Sequence, residues 1–315
     1  MLSDCGNDDE SSFSNRLERD IAAACRVGGY LVLGAALPGQ SFRRAVRLDT
    51  RTRCSCKSVA HMNLFRLLKP YLELPEHANI VRPLEIVQRG ENAETFVFFD
   101  FSPSLDLHGL LRQQKRLRES MAVVYFRQIV SAVAHCHENL VVVRDLKLQK
   151  FVFSGDDRSE LKLAGLDDAI VLEKPSDDLL TDKHGCPAYV SPEILQTNSG
   201  TYSGRAADIW SLGVMLYTML LGKYPFYDAS PSNLFNLIRE GHYDLPSSLS
   251  PLAKSLICSM LRQDPSKRLT AWAILQHPWF FRQDAPGSPT IRGKTGVDQM
   301  VPEPITYGDT TSMFT

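Results

Sequence analysis

The sequence predicts an α+β fold with a small β-rich N-terminal lobe, a helical C-terminal lobe and disordered tails at both ends. Short β-branched and aliphatic runs occupy the first hundred residues, among them Tyr30-Leu31-Val32-Leu33-Gly34 and the alternating Thr95-Phe96-Val97-Phe98-Phe99. From Leu105 onward the period becomes helical: Val123-Val124-Tyr125-Phe126, Ile129-Val130, Val133 and Cys136 recur at spacings of three and four, giving a long helix with one buried face. The ends read differently. Residues 1–25 are rich in Ser, Asp, Asn and Glu, and the chain beyond Arg282 is rich in Pro, Gly, Ser and Thr. Neither composition buries enough apolar surface to offset chain entropy. The expected boundaries are a tail over 1–25, a folded domain over 26–282 and a second tail over 283–315, with order beginning near Tyr30.

A chain of 315 residues with 43% hydrophobic content buries a substantial core. Lys+Arg 35 against Asp+Glu 36 leaves a formal net charge of -1, which argues against a general nucleic-acid or anionic-membrane binder. No apolar run approaches the length of a membrane span, and the N-terminus is acidic rather than signal-like, so a soluble intracellular protein is expected. The seven cysteines are scattered without a framework spacing, which argues against a secreted disulfide fold. Cys136 lies between His135 and His137 on the long helix, where adjacent side chains diverge; that triplet is a poor chelate and no metal site is expected.

Val142-Val143-Arg144-Asp145-Leu146-Lys147-Leu148-Gln149-Lys150 resembles the catalytic loop of a protein kinase with part of its chemistry removed. The kinase pattern is H-R-D-L-x-x-x-N, in which the Asp accepts the substrate hydroxyl proton and the Asn holds a magnesium ion. Asp145 and Lys147 are in place, but the His position is Val143 and the Asn position is Lys150. A lysine has no acceptor atom for a metal and brings a positive charge where a dication would sit. Where D-F-G should follow a strand, the chain reads Gly165-Leu166-Asp167, so the second metal ligand is a glycine. Phosphoryl transfer depends on metal charge to position and neutralise the γ-phosphate.

Upstream, Gly34-Ala35-Ala36-Leu37-Pro38-Gly39 stands where kinases keep G-x-G-x-x-G. The middle glycine is Ala36, and Pro38 removes a backbone donor. Without context, Gly34 and Gly39 mark an ordinary turn; their position before the next strand makes the segment a degraded phosphate loop. That strand ends Cys54-Ser55-Cys56-Lys57, and Lys57 matches the strand lysine that pairs with the α/β-phosphates and with a glutamate on the following helix. The helix expected from about Ala60 to Leu72 has no well-placed glutamate, and Pro70 should end or kink it early, leaving a groove. Leu74–Val81 resembles the H-P-N-I-V stretch of kinases, and Phe99 takes the gatekeeper position.

Downstream, Glu173–Lys183 reads as a charged, flexible segment. Gly185-Cys186-Pro187-Ala188-Tyr189-Val190-Ser191-Pro192-Glu193 matches the end of an activation segment, and Asp208-Ile209-Trp210-Ser211-Leu212-Gly213-Val214 matches a helix that anchors the kinase C-lobe. Arg268, in Asp264-Pro265-Ser266-Lys267-Arg268-Leu269, is the residue that in kinases pairs with the Glu193 equivalent. A closing helix over Ile274–Phe280 carries H-P-W-F, whose ordinary reading is core packing. These matches imply a bilobal protein-kinase-like fold; they support fold rather than catalysis.

From about Tyr30 to Phe280 the residues resemble the Tribbles family of pseudokinases, most closely in Asp182–Leu195 and Thr201–Gly204. A short tail match, Asp298-Gln299-Met300-Val301-Pro302-Glu303, adds to it. In this family the tail motif binds the WD40 domain of the constitutively photomorphogenic E3 ubiquitin ligase. The stretch Ile274, Leu275, His277, Pro278, Trp279 and Phe280 corresponds to a site that binds MAP-kinase kinases. The pseudokinase domain recruits clients such as CCAAT/enhancer-binding transcription factors for ubiquitination. Vertebrate members commonly carry S-L-E where this chain has Gly165-Leu166-Asp167.

The resemblance implies a scaffold of nucleus and cytoplasm, without a cofactor or metal, that brings clients to a ligase and modulates MAP-kinase signalling. Lys57, Asp145 and Lys147 are then vestigial, and Gly34, Gly39 and Lys57 are a nucleotide-binding remnant. The alternative is a weak, metal-independent Ser/Thr protein kinase that binds ATP without magnesium, with Lys150 partly replacing the lost cation.

Overall fold

The computed structural model describes residues 24–34, 42–89, 94–101, 105–155, 157–196 and 200–281. The chain forms two compact units, one from the chain up to Arg66 with Val81–Ser104, the other from Leu67–Ile80 with the chain from Leu105 onward.

The first unit is a six-stranded antiparallel sheet of β1 (Cys25–Val27), β2 (Tyr30–Leu33), β3 (Arg43–Arg47), β4 (Arg53–Val59), β5 (Pro83–Gln88) and β6 (Thr95–Phe99), in the order β1-β2-β3-β4-β6-β5. The period-two pattern sends Val27, Tyr30, Val32, Ala45, Cys54, Cys56, Phe96 and Phe98 into one buried cluster. Tyr30 stacks on Phe98 with ring centroids 3.7 Å apart. Order begins earlier than the sequence predicts, because Cys25–Val27 pairs with β2 through the turn at Gly28. A three-residue strand is too short to show a period.

The first helix, α1 (Leu64–Glu73), corrects the expectation about Pro70. The proline lies inside the helix, which continues to Glu73, and the Leu74 N–H bonds the Pro70 carbonyl at 3.2 Å. An interior proline costs about 3 kcal/mol. Leu67, Leu68, Pro70 and Tyr71 are all buried, and the two leucines alone contribute about 1.5–3 kcal/mol each, which offsets the lost bond.

The second unit is mostly helical. Asp106 caps α2 (Leu107–Gln114) by accepting from the Gly109 N–H at 2.6 Å. The long helix of the sequence pattern is α3 (Glu119–Glu138), with Phe126, Ile129, Val130, Val133 and Cys136 buried. Four short strands follow, β7 (Val141–Val142), β8 (Phe151–Phe153), β9 (Leu161–Leu163) and β10 (Ile170–Val171); β7 pairs with β10 and β8 with β9. Next come β11 (Leu179–Leu180), α4 (Pro192–Leu195), β12 (Tyr202–Ser203) and α5 (Gly204–Leu221). Helix α5 is buried over most of its circumference, as a helix apolar all round must be. The chain then forms α6 (Pro231–Glu240), α7 (Pro251–Met260) and α8 (Ala271–Leu275).

Two further expectations are corrected here. The closing segment is not one helix: α8 stops at Leu275 and a 3-10 turn spans Pro278–Phe281. Pro278 lacks an N–H and biases His277 away from the α region, which favours an end to the α-helix ahead of it. Glu173–Lys183, expected to be flexible, is tied down. Strand β11 pairs with β12, and the Asp178 carboxylate accepts from Ser203 Oγ at 2.6 Å and from the Arg205 N–H at 3.1 Å. That places a negative charge at the N-terminus of α5, where free amides and the helix dipole favour one.

Candidate functional site

The loop between β7 and β8 is held from below by a buried carboxylate. Asp208, on α5, is fully buried and accepts from the Val143 and Arg144 N–H groups, each at 2.8 Å, and contacts His137 Nε2 at 2.9 Å. Three partners are what a buried carboxylate requires. They also hold Arg144 at a φ of 71°, a left-handed conformation that costs a non-glycine residue about 1–3 kcal/mol. Val143, in the position expected for histidine, is fully buried and supplies packing in place of an imidazole.

On this base Asp145, Lys147 and Lys150 converge. Lys147 Nζ lies 2.6 Å from Asp145 Oδ2, and Lys150 Nζ lies 3.4 Å from the same oxygen. Lys150 also reaches Asp168 Oδ2 at 3.1 Å, and His184 Nε2 meets the other oxygen of Asp168 at 3.2 Å. Burial alone would push the Lys150 ammonium toward neutrality. The charges of Asp145 and then Asp168 outweigh it and raise the lysine above its ordinary pKa. A carboxylate about 4 Å away attracts an ammonium by about 4 kcal/mol at an effective dielectric of ~20, so two suffice to reverse a moderate desolvation cost. For Asp168, burial works to raise the carboxyl. The hydrogen bond from His184 and the charge of Lys150 prevail and hold it well below the usual carboxylate range.

These residues do not fit the magnesium that a kinase loop implies. The metal-ligand position holds Lys150, whose atoms only donate and whose ammonium is hydrogen-bonded to Asp168. The other position, Gly165, has no side chain and a φ of 90°, a backbone conformation open to glycine and strained for any other residue. The chain after it is fixed by Tyr71, whose hydroxyl accepts from the Leu166 N–H at 3.2 Å.

Lys57 and Gly34 belong to the first unit. Lys57 is on β4, its ammonium 5.6 Å from the centroid of the Phe42 ring, and the Gly34 carbonyl accepts from Arg43 Nε at 2.8 Å. Phe99, the gatekeeper position, is fully buried and meets Phe42 edge to face. Gly39 and the tail residues Asp298–Glu303 lie outside the described residues.

The closing segment is largely core. Ile274 and Trp279 are fully buried and Phe280 nearly so; Phe126 of α3 packs against both aromatic rings. Trp279 Nε1 donates to Glu119 at 3.3 Å, and Arg127 donates to the Phe280 carbonyl at 2.6 Å. Leu275 and His277 are half-buried, while Pro278 and the neighbouring Trp272 and Phe281 are exposed. His135 and His137 point to separate partners, the Pro75 carbonyl and Asp208, with Cys136 buried between them.

Sequence reasoning missed Asp168, His184 and Asp182, the last of which pairs with Arg144. The signal was present in the acidic pair Asp167-Asp168 after Gly165 and in Asp182-Lys183-His184 ahead of Gly185.

Residues 47–280 match the protein kinase domain family. The chain is 48% identical to Tribbles homolog 1 of Homo sapiens over 290 residues, covering 92% of this chain and 76% of that protein. It is 49% identical to Tribbles homolog 2 of Mus musculus over 277 residues, 88% of this chain and 79% of that protein. With Tribbles homolog 3 of Rattus norvegicus it shares 44% identity over 283 residues, 90% of this chain and 79% of that protein. With a protein kinase domain across most of its length and this degree of identity to three Tribbles homologs, the chain belongs to the Tribbles family.

Proposed function

We propose that this chain is a catalytically impaired pseudokinase that works as a scaffold. Its kinase-like domain holds a client, with CCAAT/enhancer-binding transcription factors the expected class. Its tail, through Asp298, Gln299, Met300, Val301, Pro302 and Glu303, docks a ubiquitin ligase of the constitutively photomorphogenic type. Tethering the two raises their effective concentration with no chemistry by this chain. Binding of MAP-kinase kinases at the Ile274–Phe280 segment is a second role, in nucleus and cytoplasm. With Ile274, Trp279 and Phe280 in the core, such a contact falls to His277, Pro278 and their exposed neighbours.

The observation that carries this reading is Lys150, whose ammonium bonds Asp168 and approaches Asp145 at the position of a metal ligand. A lysine at that position offers a metal no acceptor atom and holds a positive charge where the dication would sit. The same ammonium favours the second reading, a weak metal-independent kinase, because it places positive charge beside Asp145. The test is a pull-down of full-length protein with and without residues 298–303, together with Asp145→Asn. The scaffold reading expects ligase capture to vanish with the tail motif and client degradation to survive Asp145→Asn. Loss of degradation in a folded Asp145→Asn protein supports the kinase reading.

A further inference from the structure

Charge is spread unevenly along a chain that is close to neutral as a whole. The β3–β4 hairpin carries five arginines in residues 43–53, against a single carboxylate, Asp49. That carboxylate is already engaged, with Arg47 Nε at 3.1 Å and with the Thr50 N–H at 2.6 Å. The strand register decides which arginines act together. Arg26, Leu31, Val46 and Arg53 stand opposite one another across β1, β2, β3 and β4, so Arg26 and Arg53 share one face of the sheet. It is the face opposite the one that carries Tyr30, Ala45 and Cys54 into the buried cluster. Arg26, Arg51 and Arg53 are exposed, and neither Arg51 nor Arg53 has a carboxylate partner among the described residues. The turn holds Arg51 at a φ of 57°, a left-handed conformation that glycine or asparagine adopts with least strain. An arginine there gives up turn stability and places a charge at the tip of the hairpin.

The chain leading into this sheet has the opposite charge. Ahead of β1 it holds Asp4, Asp8, Asp9, Glu10, Glu18 and Asp20 against Arg16 and Arg19, and Asp8-Asp9-Glu10 is its densest run. We propose that the exposed corner formed by Arg26, Arg51 and Arg53 is a docking site for an acidic segment, and that its occupant is this chain's own Asp8-Asp9-Glu10. The reach fits. Cys25 is aligned with Val32, Ala45 and Cys54 across the sheet. From there the far side of the corner is three strand spacings across and a few residues along, roughly 15–20 Å. Ser11 to Ala24 joins the acidic run to Cys25. A flexible chain of that length spans about 20 Å, and effective concentration is highest when a tether's length matches its span. Each exposed pair is weak and screened by salt, so the tether and the run of three carboxylates together hold the segment. An acidic segment of a partner must displace residues 8–10 to use the corner. This goes beyond the scaffold reading and involves neither residues 298–303 nor a client.

Binding of a fluorescent synthetic peptide of residues 6–14 to the full chain, at about 50 mM salt, tests it. The wild type should bind the peptide weakly. A full chain carrying Asp8→Asn, Asp9→Asn and Glu10→Gln should bind it about tenfold tighter, because its own segment no longer competes. In that neutralised chain Arg53→Glu should remove peptide binding. Arg51→Gly should weaken it several-fold while the unfolding midpoint holds or rises, since glycine relieves the turn. The same peptide affinity for the wild type and the neutralised chain, or binding to neither, overturns the proposal. Peptide binding that survives Arg53→Glu and Arg51→Gly together also overturns it, by sending the acidic segment elsewhere. So does low-salt dimerisation of the wild type that disappears in the neutralised chain, which would give the segment to a second copy. None of these readouts involves ligase, client or nucleotide, so failure here is separable from failure of the scaffold reading.

Discussion

Arg268 and Glu193 form a two-pronged ion pair, with Nη1 to Oε1 and Nη2 to Oε2 each 2.7 Å. The side chain of Arg268 is 1% exposed, and its remaining donors reach the carbonyls of Arg262 and Ala206. Removing one partner strands a charge in the interior. Arg268→Ala should cost about 3–5 kcal/mol of stability, read as a lower denaturant midpoint. Arg268→Lys should also destabilise, because a point charge cannot span both oxygens. A loss below about 1 kcal/mol would place this pair with ordinary surface ion pairs.

This pair was legible in the sequence because both partners sit in motifs of fixed spacing. The same holds for Asp145, Lys147, Lys150 and Gly165. What escaped were the partners that only folding brings together. Nothing local marks Asp168 as the counter-ion of Lys150, or Asp182 as that of Arg144. Pro70 misled for the opposite reason: a local rule was sound, but burial of Leu67, Leu68 and Tyr71 outweighed it. In Glu173–Lys183 charge suggested flexibility, whereas the Asp178 carboxylate bonds the Ser203 hydroxyl and the Arg205 N–H at the start of α5.

His77 should make stability depend on pH. Its Nδ1 accepts from the Asn79 N–H at 3.1 Å, and Nε2 pairs with Ser131 Oγ at 3.0 Å, so the neutral ring is the one that fits. Burial, and then the neighbouring His135, lower its pKa. A lowered folded-state pKa means that the contribution is present above the unfolded value of about 6.5 and is lost as pH falls through the folded value. Unfolding midpoints should therefore fall between about pH 7 and pH 5 in the wild type, and fall less in His77→Asn. Parallel profiles for the two proteins would contradict this.

Gly165 is expected to tolerate no side chain. With φ at 90°, Gly165→Ala should cost about 1–3 kcal/mol in urea unfolding, and Gly165→Asp at least as much. A neutral Gly165→Ala would mean that the loop relaxes freely, against the bond between Leu166 and Tyr71.

In the closing segment, stability and surface should separate. Trp279→Ala should cost about 3–5 kcal/mol, since the ring is fully buried against Phe126. Trp272→Ala and Phe281→Ala, at positions 60% and 61% exposed, should stay within about 0.5 kcal/mol of wild type. If MAP-kinase kinases bind here, the two exposed substitutions should weaken capture with the melting temperature unchanged. Unchanged capture in both would move that contact elsewhere.

The most direct test of the central claim is a thermal-shift titration of the full-length protein with ATP, with and without magnesium. Lys150 and Gly165 stand at the two metal-ligand positions, and the Lys150 ammonium is already bonded to Asp168. The account predicts no stabilisation that requires magnesium. A small metal-free shift abolished by Lys57→Ala would support the weak-kinase alternative. A large shift that appears only with magnesium would contradict the account.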